Sequence, residues 1–88
     1  MTEQKITVSN RAGVHARPAA LIVQTIKNFK STIFISKEDE KINAKSIMGV
    51  ITLGAGYGTE LTISAEGEDE ALAVETLVRL FESKFEED

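Results

Sequence analysis

Eighty-eight residues, 42% hydrophobic and 27% charged, describe one domain, residues 1–88, near the lower end of the size at which a hydrophobic core suffices without staples. A formal net charge of -4 argues against broad electrostatic binding to nucleic acid or an anionic membrane, and the absence of cysteine excludes disulfides, thiolate metal centres and thiol nucleophiles. No run approaches the ~20 apolar residues of a membrane span, and MTEQKITVSN lacks the apolar stretch of a signal peptide, so the sequence reads as cytoplasmic.

Ile6 and Val8 alternate with Lys5, Thr7 and Ser9, the period-two pattern of a half-buried strand. Residues 10–13 form a loop. From Pro18, the residues Ala19, Ile22, Val23, Ile26 and Phe29 share one helical face, and this helix is expected to end near residues 28–30. Ile33 and Ile35 alternate with polar residues and Phe34, and Ile42 and Ala44 do the same after the charged turn KEDE, which predicts two antiparallel strands. Ser46 suits the N-cap of a two-turn helix, IMGVITL, that Gly54 terminates. In the next strand Leu61, Ile63 and Ala65 point one way. Gly67 breaks the chain, Glu68, Asp69 and Glu70 favour a helix start, and Val74, Leu77, Val78, Phe81 and Phe85 supply the last apolar stripe.

The order is therefore βαββαβα. Four strands and three helices, each with one apolar side, pack as an α+β fold: one antiparallel sheet with all helices on one face and the other face solvated. Thr7, Ser9, Thr32, Ser36, Thr62 and Ser64 suit the open face. Periodicity leaves the strand order open, and a ferredoxin-like arrangement fits equally well.

The stretch GVHARPAA, residues 13–20, holds the only histidine and the only proline of the chain, with an arginine between them. It lies where the first loop becomes the first helix. Pro18 fits the first turn, whose N–H groups have no intrahelical partner, and those outward amides with the positive end of the helix make an anion site. A neutral imidazole nitrogen of His15 can attack phosphorus there, and Arg17 offers a planar fork of donors to the phosphoryl oxygens. No carboxylate pair, serine-histidine pair or metal cluster accompanies it, so transfer needs a partner that brings the donor. By residue chemistry alone, a lone histidine in a loop is more often solvated or a helix cap. Other motifs are weaker: GAGYG precedes a strand without a following GK[ST], and EGEDE lacks a calcium loop's ligand pattern.

GVHARPAA followed about thirty residues later by KSIMG, with LG ending the short helix and TISAEGEDE leading into the last, resembles the histidine-containing phosphocarrier (HPr) family of the bacterial phosphoenolpyruvate-dependent phosphotransferase system. The resemblance covers essentially the whole chain. It implies an open-faced β-sandwich with strand order 1-4-2-3. It also implies a cytoplasmic carrier, not an enzyme, that accepts a phosphoryl group from enzyme I and passes it to enzyme IIA domains of sugar permeases. Matched to the family motif, His15 is the acceptor through its pros nitrogen, Arg17 steadies the phosphoryl group, and the helix start at Ala16 and Arg17 contacts it. Docking is implied through an apolar surface of Ala16, Ala20, Ile47, Met48 and Ile51; the helical period independently puts Val50 and Leu53 inward and leaves Ile47, Met48 and Ile51 as a cluster, although burial of all five in the core fits the sequence equally.

Ser46 matches a regulatory serine that a dedicated kinase phosphorylates in some members, so a serine kinase or phosphatase is a further implied partner. A serine at an N-cap is also a common structural choice. The resemblance implies no cofactor and no metal, and the sequence offers no sign of an obligate oligomer, so a monomer is expected. SNRAGVHARPA and the ending LVRLFESKFEED are also similar to the nitrogen-related branch of the family. The alternatives are thus that paralogue, or a regulatory binding module controlled at Ser46.

Overall fold

A computed structural model describes residues 1–86. Along the chain run β1 (Thr2–Thr7), α1 (Ala16–Ile26), β2 (Thr32–Lys37), β3 (Glu40–Asn43), α2 (Ile47–Leu53), β4 (Glu60–Glu66), α3 (Glu70–Glu82) and a 3-10 turn at Lys84–Glu86. The strands form one antiparallel sheet in the order β1-β4-β2-β3. This is the open-faced sandwich expected above, and it removes the ferredoxin-like alternative.

The alternation of the strands sets the layers. Leu61, Ile63 and Ala65 of β4 pair in register with Ile6, Gln4 and Thr2 of β1, and Ile63 and Ala65 pair with Ile35 and Ile33 of β2, so these side chains share one face. Ile22 and Ile26 of α1, Val50 and Leu53 of α2, and Val74, Leu77 and Phe81 of α3 close over that face in a single buried core. On the other face Lys5, Thr62, Ser36 and Lys41 form a polar row across the four strands, and the Lys41 ammonium sits 4.5 Å from the centre of the Phe34 ring.

Local differences from the expected elements have physical causes. β1 starts earlier than alternation suggests, because Thr2 and Gln4 lie at a sheet edge that demands little burial; beyond its end, Val8 still exchanges backbone hydrogen bonds with Gly58 and Thr59. Ser9 does not join the open face, since it follows β1 and its hydroxyl points to the Phe81 carbonyl at 3.5 Å. Ser64 is on that face but buried, in register between Glu3 and Phe34. Ala44 lies just past β3, buried, donating its N–H to the Ile33 carbonyl.

α1 ends at Ile26, short of residues 28–30, because the chain tightens so that the Phe29 N–H bonds to the Ile26 carbonyl, and the Lys45 ammonium takes the Phe29 carbonyl at 2.6 Å. α3 likewise stops before Phe85. Three residues with left-handed backbone, Lys84 to Glu86, turn the Phe85 ring back into the core, edge-on to Phe81 with centroids 4.9 Å apart.

The start of α3 ties distant parts of the chain together. The Asp69 carboxylate accepts from the Ser31 hydroxyl and from the backbone N–H groups of Lys30 and Ser31, and these bonds, the hydroxyl's foremost, hold its pKa below the usual carboxylate range. Glu70 accepts from the Thr2 hydroxyl at 2.7 Å and from the Gly67 N–H at 3.1 Å, and pairs with the N-terminal ammonium at 3.1 Å; these contacts, the Thr2 bond foremost, lower its pKa from 4.5 to about 2. A depressed carboxylate stabilises the fold fully above its unfolded value and loses that contribution as pH falls through the folded one. Stability is therefore expected to decline as pH drops from 4.5 toward about 2. Acid titrations followed by circular dichroism should show a shallower decline in this window for Glu70→Gln than for the wild type; equal slopes would refute the assignment.

Candidate functional site

His15 is the N-cap of α1. Its backbone is extended (φ -102°, ψ -163°), and its carbonyl accepts the first helical bond, from the Ala19 N–H at 2.9 Å. The imidazole makes no capping bond to the helix, the first turn holds no acidic side chain, and Pro18 has no N–H to offer. The amides of Ala16 and Arg17 are thus the donors of that helix end, beside the positive end of the macrodipole. His15, Ala16 and Arg17 are exposed, whereas Val14, Pro18 and Ala19 are buried and anchor the turn. Val14 and Ala19 occupy the two positions of a hydrophobic staple, which fixes how the chain enters the helix.

The loop before His15 is held as firmly as the helix after it. The Asn10 side-chain amide donates to the Gly13 carbonyl at 2.7 Å, Gly13 N–H returns to the Asn10 carbonyl at 3.1 Å, and Val14 N–H crosses to the Ala55 carbonyl at 2.8 Å. Gly13 has a φ of +75°, and a Cβ there would stand 2.8 Å from the Ala55 oxygen and 2.9 Å from the Gly56 Cα. Only glycine satisfies both conditions. Gly13→Ala is expected to cost about 1–3 kcal/mol in denaturant unfolding and to disturb the Val14 amide resonance; a variant with wild-type stability and an unshifted Val14 signal would contradict this account.

α2, which packs against α1, carries the rest of the expected surface. Ser46 caps it as foreseen, its hydroxyl oxygen accepting from Gly49 N–H at 3.1 Å, and Gly54 ends it in the left-handed conformation. Val50 and Leu53 are buried; Ile47 is 42% and Met48 66% exposed. Ile51 departs from the expected cluster, being half-buried and packed against the core, because its position turns it between the exposed and buried sides of the short helix. Ala16 is exposed and Ala20 half-buried.

Tyr57 lies in the GAGYG stretch, to which sequence reasoning assigns no functional role. This side chain is 67% exposed. The signal was available: a lone tyrosine between two glycines, outside any apolar periodicity. Among the described residues no cluster of three or more His, Cys, Asp or Glu is arranged to hold a metal, and no helix is long and apolar enough to cross a membrane.

Comparison with known proteins agrees with this geometry along the whole chain. The family model for the PTS HPr component phosphorylation site matches residues 2–83. The phosphocarrier protein HPr of Treponema pallidum is 51% identical over 88 residues, all of both chains. The crystal structure of HPr from Thermoanaerobacter tengcongensis is 51% identical, superposes with a TM-score of 0.96, and is matched over 100% of this chain and 99% of its own. That of the Bacillus subtilis catabolite-repression protein Crh, described as a swapped dimer, is 45% identical with a TM-score of 0.77, covering 96% of this chain and 97% of the other. Sequence, fold and the helix-start histidine lead to one assignment: the chain belongs to the HPr family of phosphocarrier proteins of the phosphotransferase system, which carry a phosphoryl group and are not enzymes in their own right.

Proposed function

We propose that this chain, as a single-domain cytoplasmic monomer, accepts a phosphoryl group from phosphorylated enzyme I on His15 and delivers it to enzyme IIA domains of sugar permeases. The observation that carries this reading is an exposed histidine at the N-cap of α1, beside the amides of Ala16 and Arg17. In the transfer, the lone pair of the pros nitrogen forms the new N–P bond as the bond between phosphorus and the donor breaks. The phosphoryl oxygens then lie against the helix-start amides, with the Arg17 guanidinium as counter-charge. Delivery is the same displacement in reverse, with the acceptor as nucleophile. The exposed Ile47 and Met48, with Ala16 and the half-buried Ala20 and Ile51 at their rim, supply the docking surface.

Ser46 supports a second, regulatory reading. It is exposed and adjoins Ile47 and Met48, so a kinase-delivered phosphate would add about two negative charges at the edge of the docking surface and weaken binding to an acidic partner. The two readings separate chemically. Incubation with phosphoenolpyruvate, magnesium and enzyme I should give one acid-labile phosphate per chain, whereas serine phosphorylation gives an acid-stable one. If no acid-labile adduct forms, the carrier reading fails.

A further inference from the structure

We infer that Asn10 is a positioning residue for the transfer, acting through the Gly13–Val14 peptide on the backbone of His15; the inference rests on the carrier reading. Asn10 is a polar residue at 0% exposure, and a buried amide carries a desolvation cost that its hydrogen bonds must offset. Its side-chain nitrogen donates to the Gly13 carbonyl at 2.7 Å, across a turn that the Gly13 N–H already closes by bonding to the Asn10 carbonyl at 3.1 Å. The backbone bond alone suffices for a tight turn. The side-chain bond is surplus to the turn and falls on the next peptide unit.

The carbonyl of Gly13 and the N–H of Val14 belong to one planar group. Asn10 holds its oxygen and the Ala55 carbonyl takes its hydrogen, at an N–O distance of 2.8 Å, so the unit is gripped from two sides and resists rotation. Val14 comes next, 7% exposed and tied to the core. His15 follows at once, with its own carbonyl committed to the Ala19 N–H at 2.9 Å. The backbone of the acceptor residue is thus clamped before and after, while the residue itself stands exposed. The same bond has an electrostatic consequence: a carbonyl oxygen two residues from the acceptor repels an anionic phosphoryl group if it faces the group's approach. Because its donor is fully buried, the Gly13 oxygen is held toward the interior and not toward the exposed side of His15.

In transfer from phosphorylated enzyme I, Asn10→Ala should lower kcat about tenfold, the cost of a reacting group displaced by less than 1 Å, and leave KM unchanged because Ile47 and Met48 keep their places. Asn10→Leu fills the same space without a donor and should lose kcat in the same way. Val74→Ala, at a 2% exposed position of α3, gives up core packing elsewhere and should keep the wild-type kcat at the assay temperature. Both Asn10 variants should still reach one acid-labile phosphate per chain. A kcat within about twofold of wild type for either Asn10 variant, a loss confined to KM, an equal loss of kcat in Val74→Ala, or Asn10 variants unfolded at the assay temperature each overturn the inference and leave the carrier reading standing. Absence of the adduct on the wild-type chain overturns both.

Discussion

His15→Ala is expected to fold normally and to accept no phosphoryl group. The imidazole is exposed, and the buried Val14, Pro18 and Ala19 that anchor the helix start are untouched by its removal. Its removal nevertheless deletes the only atom at this helix start with a lone pair suited to attack phosphorus. Loss of a covalent nucleophile lowers rates by a factor on the order of 10^6, which puts transfer from enzyme I below detection. Arg17→Ala keeps the nucleophile and loses only charge stabilisation, so it should still reach one phosphate per chain, slower by a factor on the order of 10^2. The measurement is the time course of acid-labile phosphate under phosphoenolpyruvate and enzyme I. An adduct on His15→Ala would place the acceptor elsewhere and sink the assignment.

The largest loss of stability is expected at Phe81. Its side chain is 1% exposed on the inner face of α3, and its ring supports Phe85 edge-to-face. Truncation to alanine removes a buried aromatic and leaves a cavity, worth about 3–5 kcal/mol, against the roughly 4–13 kcal/mol expected of a chain this size. The damage extends past the cavity. Phe85 occupies left-handed backbone, φ 55°, a conformation a bulky residue keeps only when packing outweighs its strain. Without Phe81 the 3-10 turn loses its reason to close. Urea unfolding of Phe81→Ala should therefore show a much lower midpoint, whereas Leu72→Ala, at a 58% exposed position of the same helix, stays within about 0.5 kcal/mol of wild type. A Phe81→Ala loss below about 1 kcal/mol would show that the end of α3 is not an anchor of the core.

Much of this architecture was legible in the sequence, because its signals are local. Ile33 and Ile35 declare a strand by alternation, and Ser46 and Gly54 bracket α2 by the demands of its two ends. His15 and Pro18 declare a helix start in the same way, and the strand order followed from family resemblance, not from periodicity. What stayed hidden depends on residues far apart in the chain. Nothing local marks Asp69 as the acceptor for Ser31, or tells that Ile51 turns toward the core while Met48 next to Ile47 does not. Phe85 shows the limit from the other side. Its helical spacing correctly forecasts burial but wrongly forecasts a helix, because three left-handed residues bring the ring to the same place by another path.

The two carboxylates at the start of α3 act across long stretches of chain: the Thr2–Glu70 bond spans 68 residues and the Ser31–Asp69 bonds span 38. Such contacts cannot form until the sheet has assembled, because the loops they close are too costly in entropy to close for one hydrogen bond each. They are therefore largely absent from the folding barrier and must break early on the way out. Interactions of that kind leave the speed of folding nearly untouched and lengthen the lifetime of the folded state. The acidic corner of this small protein works as a latch on a closed door, setting how long a carrier without disulfides survives between one transfer and the next.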